Sequence, residues 1–370
     1  MTDTVLGLTF VTIAGVANAT FALPMKFTRR WAWENIWLVW TLFALVLLPV
    51  VVAFTSIPSL GSVYRDAGTG SIVVVMLCGA GWGFAQVLFG LSIDAIGIGL
   101  TFSIVLGVCA AVGSLVPLLR LPHSQRLLAA LVPIYVGIAL VVAGVSACAI
   151  AGRMREKAES GGNKRSKPFG VGLVMAFCSG LFAASMNLGV AFGEPLIHSA
   201  AAHGASAQNV VNAIWLPLLE AGAIPNISFC VYLLSRRRSW TNFSIRETPV
   251  YLGLGFVMAI LWFLSTSLYG IATTRLGDLG VIVGWPVYMS LIVVAAGVVG
   301  LVTGEWRHSG VTPKVFQIAG MFLLVLAAIT LARAQYHSTV TANPDRAYIS
   351  KVVGRNSRRG ISPSDRLNVR

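Results

Sequence analysis

One carboxylate sits well inside an apolar run of this chain: Glu220, in "IWLPLLEAGAIPNISF". An ionised group at the middle of a bilayer costs at least about 2.5–3.5 kcal/mol on insertion scales. A carboxyl in such a place holds its proton while buried and releases it when water arrives, which is the chemistry of a proton carrier. Pro217 and Pro225 flank it. Neither has a backbone N–H, so each frees a carbonyl one turn back, and an irregular helix beside a cavity is expected. The competing reading is a solvated carboxylate near a membrane surface. Asp94, Glu194 and Asp278 fall at the ends of apolar runs and read as interfacial.

A second set of candidates is uncharged. Asn18, Gln86, Asn187, Asn212 and Asn226 lie inside apolar runs. Amide side chains both donate and accept hydrogen bonds, as a hydroxyl-rich solute requires; each alone serves equally well to join two helices. Trp82, Trp262, Trp285 and Tyr288 offer flat apolar faces on which a sugar ring can lie, although aromatic residues in such runs also pack or anchor. Glu220 for the proton and these amides and aromatics for the substrate make up the candidate site. The sequence has no phosphate-cradling loop with its lysine, no HExxH and no GxSxG, so nothing in it points to an enzyme or a cofactor.

The elements that must position these residues follow from composition. The chain has 370 residues, 56% apolar and 11% charged, with mean hydropathy +0.80. A soluble protein carries about 25% charged residues, so the expected class is an all-α integral membrane protein. Ten apolar runs long enough to cross a bilayer as helix fall near 5–24, 35–55, 71–91, 97–119, 128–151, 169–190, 209–234, 249–271, 279–302 and 314–334. They lack the alternation of a membrane β-barrel. The first is kept as a span despite "ANA" at 17–19: no Lys or Arg precedes it, and Lys26, Arg29 and Arg30 follow it. Cys78, Cys109, Cys148, Cys178 and Cys230 all lie in apolar runs, where they read as small buried side chains with no disulfide or metal to hold.

The second half echoes the first. "WGFAQVLFG" at Trp82 returns as "WFLSTSLYG" at Trp262, and seven residues past each copy stands another glycine, Gly97 and Gly277. "GLTFVTIAGVANATFALPMKF" from Gly7 aligns without gaps to "GLVMAFCSGLFAASMNLGVAF" from Gly172. Span 1 therefore matches span 6, and span 3 matches span 8. Five spans per unit is an odd number, so the second unit enters the membrane from the opposite side, an inverted repeat of the kind transporters use. The expected units are 1–151, a basic loop 152–168, 169–334, and a basic disordered tail 335–370. Small residues such as those of "GAGWG" at 79–83 are expected to let helices approach closely.

Net charge is +14, but the basic residues lie between the runs and in the tail, with no aromatic-basic groove motif. That is a membrane distribution and not a nucleic-acid interface. Loops after spans 1, 3, 5, 7 and 9 carry 15 Lys and Arg, against 4 on the other side. The positive-inside rule makes the first set cytoplasmic and puts both termini outside. The eight basic residues from Arg333 onward stand against this; in a cytoplasmic tail they would meet anionic lipid. Trp31, Trp33, Trp37 and Trp40 follow a basic cluster, and several of them are expected in the headgroup belt.

"FALPMKFTRRWAWENIW", "GAGWGFAQVLFGLSIDAIG", "LGVCAAVGSLVPLL", "SGLFAASMNLG" and "GVVGLVTGEWRHSG" together resemble segments of the L-rhamnose–proton symporter family, over nearly the whole chain before the tail. Pro24, Lys26, Trp31, Trp33, Glu34, Trp82, Gly83, Gly90, Glu305 and Trp306 match its pattern. Asp94 and Glu194 depart from it, standing where the family usually has basic residues. The resemblance implies the drug/metabolite transporter superfamily, ten helices in two inverted units, and uptake of a deoxyhexose with a proton across a bacterial inner membrane. The alternative within the same superfamily is an exporter of a drug or metabolite; a sugar-sensing receptor lacks any output domain to signal through.

Overall fold

The helices follow from the apolar runs, since backbone N–H and C=O groups in hydrocarbon must be paired within the segment that carries them. The structure, a computed structural model, describes residues 2–120, 128–160, 168–304, 306–307 and 309–341. The middle of the basic loop, the tail beyond 341 and Glu305 lie outside the described residues, as do the side chains of Asp94 and Asp278.

In chain order the helices are α1 (Thr2–Thr20), α2 (Trp33–Thr41), α3 (Leu48–Ser56), α4 (Leu60–Ala67), α5 (Thr69–Ile96), α6 (Ile98–Arg120), α7 (Leu128–Ser160), α8 (Phe169–Ala183), α9 (Ser185–Phe192), α10 (Glu194–Ala202), α11 (Asn212–Arg237), α12 (Thr248–Leu276), α13 (Gly280–Val302) and α14 (Val311–Thr341). Among the described residues ten helical stretches are long and apolar enough to cross a membrane, one for each expected run. The second is α2 and α3 joined by a π-helical segment, Leu42–Leu47. The sixth is α8, α9 and α10, continuing to Ala202, well past the expected end near 190. Two short helices, α4 and α10, pack on each other at one end of the bundle.

Matched glycines end matched helices. Gly97 caps α5 at φ +86° and Gly277 caps α12 at φ +70°, a backbone conformation that side chains with a Cβ resist. The glycines of "GAGWG" serve contact: a Cβ on Gly79 would lie 1.9 Å from the Leu218 carbonyl oxygen, and one on Gly83 2.2 Å from that of Gly222. The backbones of α5 and α11 therefore touch. α1 packs on α12 and α13, while α8 packs on α5 and α6. Gly7 of α1 faces Leu276 at the end of α12, and Gly172 of α8 faces Ile96 at the end of α5. α7 and α14 form a close pair through Gly137, Gly144 and Gly320. Of the cysteines, Cys109, Cys148 and Cys230 are buried, but Cys78 and Cys178 are only half-buried.

α11 corrects one expectation. It runs unbroken past both Pro217 and Pro225. The carbonyl that Pro217 frees, that of Ala213, is taken by the Tyr64 hydroxyl of α4 at 3.2 Å, so a neighbour supplies the donor that the proline lacks.

Candidate functional site

A column of aromatic and amide side chains runs between α1, α2, α5, α11, α12 and α13. At mid-length, Asn18 Nδ2 donates to the Tyr288 hydroxyl at 2.8 Å. Ser265 spends its proton on the Ala14 carbonyl at 2.7 Å, so Tyr288 donates to the Ser265 oxygen, also at 2.7 Å. Trp262, one turn before Ser265 on α12, lies 5.5 Å from Trp82 of α5 and 5.3 Å from Trp40 of α2, centroid to centroid. Trp40 is 1% exposed and its indole N–H has no partner among the described residues. A buried donor left open is costly, and a ligand oxygen would satisfy it.

Towards the α4–α10 end the column narrows to a knot. Asn187 Nδ2 donates to the carbonyls of Gly113 at 2.7 Å and Val281 at 2.9 Å, and its Oδ1 accepts from the Tyr269 hydroxyl. The Gly113 carbonyl is free for this because Pro117, four residues on, has no N–H to offer it. The Tyr269 ring stacks on Tyr288, with centroids 4.9 Å apart, and Trp285 meets it edge-on at 5.4 Å. Trp285 reaches the Cys109 carbonyl at 3.1 Å by crossing the bare Cα of Gly113, where a Cβ would sit 2.5 Å from its nitrogen.

One turn beyond the knot a vestibule of about 650 Å³ opens, lined by Arg120, Phe192, Glu194, His198, Thr273 and Thr274 among others. The Arg120 guanidinium lies over the Phe192 ring, 4.6 Å from its centroid. Beside it, α10 is clasped to α4: the Ser199 hydroxyl donates to the Val63 carbonyl at 2.8 Å, and His203 Nε2 lies 3.2 Å from Asp66.

The opposite end is latched. Trp37 stacks on Trp33 and donates to Asn226 Oδ1 at 3.1 Å. Below them Glu34, wholly buried, accepts from the Ser239 hydroxyl at 2.7 Å and from Arg237 at 3.0 Å. Asn35 donates to the Ser239 carbonyl at 3.0 Å and accepts from Asn242 at 3.1 Å, while Trp31 donates to the Asn242 carbonyl at 2.8 Å. Arg30 and Glu247 close the rim at 2.7 Å. The hydrogen bond from Arg30 holds the Glu247 carboxyl below the usual carboxylate range.

Asn18, Asn187, Trp82, Trp262, Trp285, Tyr288 and Asn226 are thus gathered along one column. Gln86 is half-buried one turn past Trp82 and makes no hydrogen bond among the described residues. Asn212 is elsewhere, donating to Ser56 at the head of α11. Glu220 is half-buried and also without a partner among the described residues; it shares a helix face with Ile224, 63% exposed, and Val231, 39% exposed. That face points away from the side of α11 that meets Trp82 and Trp37. Residues the sequence reading passed over are Ser265 and Tyr269, which sit three and seven residues past Trp262. Several of Trp31, Trp33, Trp37 and Trp40 were expected in the headgroup belt; Trp37 and Trp40 turn inward, because α2 presents them to α11 and α12.

Comparison with known proteins supplies the remaining finding. A family model described as L-rhamnose-proton symport protein matches residues 1–334. An L-rhamnose-proton symporter of Mannheimia succiniciproducens is 27% identical over 330 residues, covering 87% of this chain and 96% of that protein. One from Yersinia pestis is 24% identical over 340 residues, covering 88% and 96%.

Proposed function

The chain belongs to the L-rhamnose-proton symport protein family, a transporter family, and from that premise we propose that it imports L-rhamnose or a closely related sugar together with a proton. The observation that carries the proposal is the family match over residues 1–334, joined to a column of indoles and amides suited to a sugar. Trp82 and Trp262 supply apolar faces; Asn18, Tyr288 and Asn226 supply groups that both donate and accept; the open N–H of Trp40 supplies one more donor. Gln86, Asn187 and Trp285 complete the set as wall residues.

The mechanism we propose is alternating access between two inverted five-helix units, 1–151 and 169–334, within the drug/metabolite transporter superfamily. Three features support it. α1 packs on α12 as α8 packs on α5, Gly97 and Gly277 end their helices alike, and one end of the column opens in a vestibule while the other is latched. In this reading the latch faces the cytoplasm across a bacterial inner membrane, the side that the positive-inside rule favours for its loops. An inward proton gains about 2.3 kcal/mol per 100 mV of membrane potential, enough to drive accumulation. Glu220 is the proposed proton carrier, on the grounds of its depth and of its having no partner among the described residues.

The test is uptake of labelled L-rhamnose into proteoliposomes with and without an imposed inward proton gradient. Gradient-dependent accumulation that a protonophore collapses is the expected result. Absence of uptake by folded protein refutes the sugar assignment.

A further inference from the structure

The vestibule has a chemistry of its own, distinct from the column below it. Its volume of about 650 Å³ falls within the range of small-molecule sites, about 300–1,000 Å³. Its charged groups are of both signs. Arg120 is held against Phe192 by a cation–π contact, and among the described residues its five N–H donors make no hydrogen bond or ion pair. Glu194 and His198 face each other at 3.2 Å across one turn of α10, leaving carboxylate lone pairs free. The Thr273 and Thr274 hydroxyls donate to the Gly270 and Ile271 carbonyls at 2.7 and 2.8 Å, so each oxygen still accepts. Val281 and Ile282 supply an apolar wall.

Donors, acceptors, a ring face and an apolar wall, with charges that offset, suit a neutral polyhydroxylated ring better than an ion. A guanidinium and a carboxylate can bracket a vicinal diol, one donating and the other accepting. The vestibule meets the Asn187 knot at Val281, which lines the vestibule and whose carbonyl accepts from Asn187; beyond the knot lie Trp262 and Tyr288. We propose that the vestibule is a separate outer docking site for a neutral sugar, with Arg120 and Glu194 as its polar ligands and Phe192 as its platform, from which sugar passes inward when the knot opens. The site is roomy and wet, so it binds weakly and exchanges fast; its role is to raise the local sugar concentration above the knot. The proposal rests on the sugar-transport reading above.

The experiment uses the full chain in oriented proteoliposomes, with Arg120→Gln and Glu194→Gln as separate variants. Initial L-rhamnose uptake against concentration is measured from the vestibule side and from the latch side. Loss of a docking site raises the half-saturating concentration about 3–10-fold from the vestibule side, which is about 0.7–1.4 kcal/mol, and by less than twofold from the latch side. Equal changes from both sides, or no change in either variant, overturn the docking site while leaving the transporter reading intact. If the unaltered protein moves no L-rhamnose from either side, the sugar reading itself has failed. A direct check is saturation-transfer NMR of L-rhamnose with Trp262→Phe protein in nanodiscs. A residual weak signal that Arg120→Gln removes supports the site; a signal indifferent to Arg120 refutes it.

Discussion

The Tyr269 hydroxyl donates to the amide oxygen of Asn187, whose nitrogen donates to the Val281 carbonyl at the vestibule wall, so one side chain ties that wall to the aromatic stack at the centre of the column. Asn187 in turn holds the carbonyls of α6 and α13, so three helices meet on one side chain of α9. Tyr269→Phe keeps the ring that stacks on Tyr288 and removes only the donor. It leaves the Asn187 oxygen unpaired in a dry site, at a cost of about 1–3 kcal/mol. Thermal unfolding in detergent is expected to shift down for Tyr269→Phe and further for Asn187→Ala, which strands the Gly113 carbonyl and the Tyr269 hydroxyl together. A Tyr269→Phe protein as stable as the parent would show that the knot is not a structural tie.

The indole pair gives a separate prediction. Trp262 lies between Trp82 and Trp40 and is buried, so truncation to Ala would cost fold stability as well as function. Trp262→Phe is the cleaner change. It keeps an aromatic face of smaller area and is expected to raise the half-saturating L-rhamnose concentration about 5–10-fold, near 1–1.4 kcal/mol, with unfolding little altered. Initial uptake rates at graded sugar concentrations decide it; unchanged half-saturation removes Trp262 from the substrate path.

What the sequence displayed of this protein was its periodic and compositional content. Ten apolar runs became ten helical stretches long enough to span, because backbone groups in hydrocarbon must be paired and runs without strand alternation can pair them only as helix. The glycines at 79–83 and at 97 and 277 acted locally, through close approach and positive φ, and could be read locally. The site was legible only in part. Asn18, Trp82, Trp262 and Tyr288 stood out as polar or aromatic residues in apolar surroundings, but their convergence depends on four different helices. Tyr269 and Ser265 looked like ordinary helix content. Asn212 had the same composition signal as Asn187 and serves a different end of the bundle. Glu34 drew no attention as a buried charge, since its partners Arg237 and Ser239 lie about 200 positions away. The vestibule is made by helix ends, which hydropathy marks only as boundaries.

The latch leads to a third prediction. Glu34 is fully buried and Arg237 is 57% exposed, so the pair gains from burial on one side only and solvent screens the other. Arg237→Gln leaves the Glu34 carboxylate with Ser239 as its remaining partner; a hydrogen bond to a charged group is worth about 1.5–3 kcal/mol, and the exposed guanidinium places the loss at the low end. Replacing both, Glu34→Gln with Arg237→Gln, is expected to cost less than the sum of the single changes, which a double-mutant cycle by thermal unfolding measures. Additive losses would mean that the two side chains act independently. At the rim, Glu247 has a depressed pKa, so the stabilisation from Arg30 is present above the ordinary carboxylate pKa and is lost as pH falls through the lowered value. Neutral-pH measurements therefore see this pair intact.

Glu220 provides the last and sharpest prediction, because depth and direction pull apart. Its depth in α11, with no partner among the described residues, fits a group that takes up and gives off a proton; its face, shared with Ile224 and Val231, is turned from the column. If Glu220 carries the coupling proton, α11 must transmit its state, and the route is short. Gly222, two residues on, packs against Trp82, and its carbonyl holds the Asn226 amide that receives Trp37. Glu220→Gln fixes the neutral form. The expected result is loss of gradient-driven accumulation with downhill sugar exchange retained, since the pathway is unaltered and only the proton step is gone. Uphill uptake at the parent level in Glu220→Gln would remove the residue from the mechanism. Glu34, the buried carboxylate held in the latch by Ser239 and Arg237, would then be the group to replace next, by the same pair of assays.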